Sequence, residues 1–263
     1  MTEYSPSHKV YIQEQQKKRR KITIFRLLIG IGFLLLWELA ARMEWINSFI
    51  FSSPSGVISC MKKMIAEGTF IYHFSITISE TIISFLLVTG IGLFVVVLLW
   101  LFPTAAKVLE PYLVMLNSIP KSAMAPLLIV WLGANMQTII VAGISVAVFG
   151  NIINLYTAFL KMDEEKIKLI RTLGGGKKHI LLKVLLPGSL PVLISNMKVN
   201  IGLSLVGVVI GEFLAAKAGL GYLIIYGSQV FQLDLVMMSI MILCLVSICL
   251  YKLVNLLEKR LQN

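Results

Sequence analysis

Six apolar runs, each about 20 residues or longer, set the terms for what this chain can fold into. They cover roughly residues 22–43, 74–101, 109–132, 136–160, 191–215 and 235–257. Runs of this length match the hydrocarbon thickness of a bilayer. In lipid, every backbone N–H and C=O needs a partner within the chain, so such runs become helices. Composition agrees: 57% of the 263 residues are hydrophobic and only 14% are charged, against about 25% charged in soluble domains. The expectation is an all-α integral membrane protein of about six transmembrane helices. Residues 1–22 form a basic tail and residues 23–263 a single membrane domain, with one long polar loop, 161–188, between the fourth and fifth spans.

The charges orient the bundle. Lys17-Lys18-Arg19-Arg20-Lys21 precedes the first run. A signal peptide also begins basic, but its apolar core is shorter and leads to a small-residue cleavage site. This run is longer and leads to Arg42-Met43-Glu44-Trp45. Six spans put both termini on one side, and eighteen of the 24 Lys and Arg then fall on the side of the basic tail. Arg42, Lys62, Lys63 and Lys217 fall opposite, while Lys121 and Lys198 lie within spans. Positive residues collect on cytoplasmic loops, so both termini are expected in the cytoplasm. The net charge of +11 is therefore a topology signal and gives no reason to expect a nucleic-acid partner. The basic pentad also suits contact with anionic membrane lipid. Cys60, Cys244 and Cys249, with His8, His73 and His179, show no metal-ligand spacing, so no metal or cofactor is expected.

Between the fourth and fifth spans lies a polar island with the grammar of a short helix. Asp163, Glu164 and Glu165 suit a helix N-terminus, where acids complement the dipole. Lys168 and Arg171 follow, and Gly174-Gly175-Gly176 ends the helix. A second short run from His179 is expected to stop at Pro187. The glycines do not make a nucleotide site. A P-loop needs a glycine at the place of Arg171 and Ser or Thr at the place of Lys178. A chain that cannot hydrolyse ATP needs a partner if its work is energised.

This island resembles the cytoplasmic loop motif of permease subunits of bacterial ABC importers, the binding-protein-dependent inner-membrane components. Gly174, nine residues, then Val184, Leu185, Leu186 and Pro187 fit that motif without a gap. Its Glu-Ala-Ala positions hold Lys168, Leu169 and Ile170 instead. Other segments resemble the branch of that family handling nitrate, sulfonates and taurine. They are Trp37-Glu38, Pro54-Ser55, Ile119-Pro120-Lys121, Ala125-Pro126-Leu127-Leu128, Trp131-Leu132-Gly133, Glu212 and Gly219-Leu220-Gly221. Thr77 and Phe85 fit a further pattern, with Glu80 where it carries Arg and Ser84 where it carries Gly.

The resemblance implies a non-catalytic subunit of an ATP-driven importer, a homodimer in the bacterial inner membrane. It implies an ATP-binding cassette subunit docked at the loop and an extracytoplasmic binding protein outside. Glu165, Lys168, Leu169, Ile170, Arg171, Leu173, Gly174 and Pro187 are the implied coupling residues, with the leucines and Ile170 as anchors and Lys168 and Arg171 as rim. The implied cargo is a small polar solute such as nitrate, an alkanesulfonate or taurine, or else a vitamin precursor such as a thiamine pyrimidine or riboflavin.

Ionisable groups at spanning depth are costly and mark function by default. Glu38, Glu80, Glu110, Lys121, Lys198 and Glu212 are the candidates, although Glu38, Glu110 and Glu212 also suit the interface. Lys198, Gly202, Leu205, Val209 and Glu212 share a face of the fifth span, which suits either a translocation path or helix packing. Lys198 and Glu212 stand about 21 Å apart along the axis, too far to pair, which leaves Glu80 facing Lys198 or Lys121. Gly207-Val208-Val209-Ile210-Gly211 permits close helix approach, read as packing within the chain. Two other classes deserve comparison. A secondary transporter would show inverted repeats, and no repeat is visible here. An intramembrane enzyme would need a nucleophile with a positioned base, and Ser204 and Lys198 have no such relation.

Overall fold

The computed structural model describes the backbone of residues 6–261, and the side chains of all these but 6–13, 16, 19 and 261. Every regular element among the described residues is helical. In chain order they are α1 Pro6–Arg42, α2 Ser48–Phe51, α3 Pro54–Ala66, α4 Thr69–Leu101, α5 Pro103–Ser118 and α6 Lys121–Leu132. Then follow α7 Met136–Leu160, α8 Glu164–Thr172, α9 Lys177–Ile180, α10 Leu186–Ala215, α11 Leu220–Gln229 and α12 Leu233–Leu261. Among the described residues, five stretches are long and apolar enough to cross a membrane, and a sixth if α5 and α6 count as one broken span.

α4, α7 and α10 form the centre, and glycines set their spacing. A Cβ on Gly207 would lie 2.8 Å from the Cα of Gly143, and one on Gly211 would lie 2.9 Å from the Cα of Ile139. The glycine pair of α10 therefore packs on α7, as the sequence suggests. Small residues allow this approach where lipid offers no hydrophobic drive between helices. Large apolar residues on α1, such as Ile29 at 73% exposure, face outward, which suits a lipid-covered surface. α1 joins the rest through its end: Ser55 N–H donates to Glu38 Oε2 at 3.0 Å, and Arg42 pairs with Glu38 Oε1 at 2.7 Å.

Three features differ from the expectation. The tail is no separate segment in its described part, since α1 runs unbroken from Pro6 through the basic pentad; residues 1–5 lie outside the described residues. The third run is broken where its proline predicts a break, as two helices bent by 97° at Ser118–Lys121. There Pro120 has no N–H to give, and the residue before a proline avoids helical ψ: Ile119 sits at ψ 131°. The segment after the fifth span is not a plain connection, because it holds α11.

Pro187 also stops nothing. α9 continues through a π-helical turn, Leu181–Leu185, straight into α10. A proline ring clashes with the carbonyl four residues back. Here the turn just before it is widened, with Leu186 N–H reaching back to the carbonyl of Leu181. A π-turn relieves that crowding and lets the helix run on.

Candidate functional site

The polar island folds as its sequence grammar requires. Asp163 caps α8, its carboxylate accepting from Glu165 N–H at 2.9 Å. Glu164 and Glu165 occupy the first turn and Arg171 the last. At the other end, Gly174 N–H donates to Arg171 C=O at 3.0 Å and Gly175 N–H to Ile170 C=O at 2.8 Å. This pair of bonds is a Schellman motif. Gly174 sits at φ +79°, open to glycine at little cost. Gly175 serves differently: a Cβ there would meet the Ile170 carbonyl at 2.8 Å.

Three residues clamp α8 to the membrane helices. Ile167, Ile170 and Met162 pack on the cluster that contains Val96, Leu99, Leu155, Phe159 and Leu185, drawn from α4, α7 and the start of the fifth span. Ile170 is therefore half-buried and packs inward on the bundle. Leu169 and Leu173 face out, 59% and 74% exposed. Glu165, Lys168 and Arg171 are exposed beside them, and Lys168 reaches Glu164 one turn back at 3.5 Å. A pair so open to water contributes little to stability. The result is a short rigid helix whose inner face belongs to the bundle and whose outer face has two large apolar side chains among charges.

At the other end of α10 lies a buried polar cluster. Glu212 is 1% exposed, Glu80 2% and Thr77 fully buried. Thr77 Oγ1 donates to Glu212 Oε1 at 2.6 Å, and Gly221 N–H donates to Glu212 Oε2 at 2.5 Å. Leu220 N–H donates to Thr77 Oγ1 at 2.8 Å, and Gly219 N–H to His73 Nδ1 at 3.0 Å. The first N–H groups of α11, which a helix cannot satisfy itself, are thus held by side chains of α4 and α10. A carboxyl at a helix N-terminus is also favoured by the dipole. Glu212 is a remote cap for α11, and no residue near α11 in sequence supplies that bond. Gly219, at φ +121°, and Gly221 leave the room it needs: a Cβ on Gly221 would lie 2.7 Å from Glu212 Oε2.

The shared face of the fifth span is mostly committed to packing. Lys198 pairs with Glu258 of α12, not with Glu80. Leu205 is buried with Phe85, Val246 and Leu250, and Val209 packs against them. Gly202 alone has open space beside it. Glu80 contacts the Glu212 carboxyl. Lys121 donates to the carbonyl of Leu116 and sits 5.2 Å from the Phe149 ring centre.

Sequence reasoning missed a polar seam inside the bundle. Asn196 donates to Asn151 Oδ1 at 3.3 Å, and Asn151 to the carbonyl of Val88 at 3.1 Å. Asn200 and Ser204 continue the line on α10, both buried. The four-residue spacing of Asn196, Asn200 and Ser204 in an apolar helix was the available signal.

The chain is a multi-pass helical bundle with a clamped, capped helix projecting between its fourth and fifth spans. The solved structures agree on the fold. A bacterial ABC transporter importing the acidic polysaccharide alginate matches at TM-score 0.65 and 13% identity, over 95% of this chain and 99% of that one. The MetNI methionine ABC transporter in an inward-facing conformation matches at TM-score 0.64 and 21% identity, over 74% and 97%.

The chain belongs to the binding-protein-dependent transport system inner membrane component family, whose sequence profile matches residues 89–263. It is 30% identical to a probable ABC transporter permease of Haemophilus influenzae, over 88% of this chain and 94% of that protein. It is 26% identical to the putative aliphatic sulfonates permease SsuC of Bacillus subtilis, over 89% and 85%. It is 25% identical to the formylaminopyrimidine permease ThiX of Halalkalibacterium halodurans, over 76% and 78%. Family membership sets aside the secondary-transporter and intramembrane-enzyme readings. The protein is a multi-pass membrane permease subunit of an ABC importer.

Proposed function

We propose that this subunit carries a small polar solute across a bacterial inner membrane by alternating access, with both its termini in the cytoplasm. Two copies would form the path, an ATP-binding cassette subunit would dock at each α8, and a binding protein would deliver solute from outside. The observation that carries this reading is α8 itself. It is capped at both ends, clamped by Ile167 and Ile170, and exposes Leu169 and Leu173 between charged neighbours. Two exposed leucines in a charged rim are the pattern of a docking anchor. A push on that face passes directly to α7 and α10, which flank it. Moving the bundle between two states then needs only that the ATPase bind one of them better. The residues proposed to take part are Glu165, Lys168, Leu169, Arg171 and Leu173 at the surface. Ile170, Gly174 and Pro187 would keep the helix in place.

For the cargo, the relatives divide between sulfonates and a pyrimidine vitamin precursor. The alkanesulfonate, taurine or nitrate reading follows the first group and the thiamine-pyrimidine or riboflavin reading the second. Affinity purification of the tagged full chain from native membranes tests the assembly. The expected result is a stoichiometric ATP-binding subunit with ATPase activity, lost when Leu169 and Leu173 are both changed to Asp. A chain that purifies alone and transports solute without ATP would overturn it.

A further inference from the structure

Two buried carboxyls meet where α4, α10 and α11 join. Glu80 is 2% exposed and Glu212 1%, and the two acids are in contact. Two carboxylates touching each other away from water cannot both be ionised, because repulsion adds to the lost hydration. A cation could balance them, but none among the described residues does so. On α4, His73 spends Nδ1 as the acceptor for Gly219 N–H. On α11, Tyr222 stacks on that imidazole at 6.0 Å. From α7, Met136 and Ile139 bring only apolar surface beside Glu80. Lys217, after α10, is exposed. Lys198 pairs with Glu258, and Lys121 donates to the carbonyl of Leu116.

The donors decide where a shared proton sits. Glu212 accepts from Thr77 Oγ1 at 2.6 Å and from Gly221 N–H at 2.5 Å, at the N-terminus of α11. Donors and dipole both suit an ionised carboxylate there. Glu80 Oε2 is buried and has no hydrogen-bond partner. That is costly for a carboxylate oxygen and much less so for the carbonyl oxygen of a neutral acid. We propose that Glu80 and Glu212 form a binding site for one proton, carried by Glu80 and donated to Glu212, and that this bond holds α11 against α4 and α10. If this end of the bundle opens, Glu80 meets water and behaves as an ordinary carboxyl, ionised at neutral pH. Opening therefore releases the proton and is favoured as pH rises. Nothing in this depends on an ATP-binding partner, so it goes beyond the importer reading.

Infrared difference spectroscopy of the full chain in lipid nanodiscs at neutral pH, wild type minus Glu80→Gln, reads the proton directly. The expected result is a protonated-carboxyl C=O band that is present in the wild type, shifts in D₂O and is missing from the variant. A wild type without such a band overturns the proposal, and so does a band that the variant retains. Glu80→Met gives the same subtraction where the Gln variant fails to fold. Hydrogen exchange of the α11 amides then tests the hold. Relative to Glu80→Gln at matched pH, the wild type should lose protection by about tenfold per pH unit, as one linked proton requires. Parallel pH profiles in the two proteins would overturn the hold on α11.

Discussion

The two ends of α10 are built on opposite plans. At one end, α8 satisfies its own termini, through Asp163 and the Gly174–Gly175 turn, and leaves an outer face that nothing among the described residues covers. At the other end, α11 cannot satisfy its own N-terminus, and Glu212, Thr77 and His73 do so from other helices. A helix that must meet a partner has to be complete by itself. A helix that closes the bundle can take its caps from the bundle. The contrast fits the proposed docking of a second protein at the first end and the chain's own closure at the second, and substitutions at the two ends should differ accordingly.

The largest effect is expected at the closed end. Gly219→Val combines a φ of +121° with a Cβ against the Glu212 carboxyl. It should cost about 3 kcal/mol or more, seen as loss of monodisperse protein on size exclusion. Next comes the Lys198–Glu258 pair, whose side chains are each only 18% exposed. Lys198→Met alone strands a nearly buried carboxylate and should cost roughly 3 kcal/mol, while the double change with Glu258→Met recovers most of it. Thermal melts of the three proteins check this, and equal losses in the single and double variants would show that the pair has no special weight.

At the open end, Leu173→Asp should change stability by no more than about 0.5 kcal/mol, since the side chain is 74% exposed. ATPase association should nevertheless fall, and a variant that melts lower and still binds ATPase would reverse the comparison. The smallest effect concerns Cys60 in α3, outside the spans. Burial first, then Asp234 nearby, pushes its thiol above the ordinary range. Only the thiolate reacts, so a membrane-impermeant maleimide added outside should label it slowly at neutral pH and faster as pH rises.

Much of this was legible in the chain. α7 begins and ends where its apolar run does, at Met136 and Leu160, and α8 sits between its acids and its glycines, because caps and periodicity are local. α11 was not legible. Gly219-Leu220-Gly221 has the look of a turn, and what makes it a helix start is a carboxyl from another helix. The partner of Lys198 was misread for the same reason: Glu258 is 60 residues away, and only the packing of α12 on α10 brings it close. Pro187 misled because its usual effect is to stop a helix, while the π-turn that absorbs it lies one residue upstream, at Leu181–Leu185.

The central claim is that the outer face of α8 docks an ATP-binding subunit. A photo-crosslinking amino acid placed at Leu173, and separately at Phe231 beyond α11, tests it in native membranes. Crosslinking to an ATP-binding subunit from position 173 and not from 231 is the predicted result. Crosslinking from 231 and not from 173 would contradict both the docking surface and the orientation of the bundle.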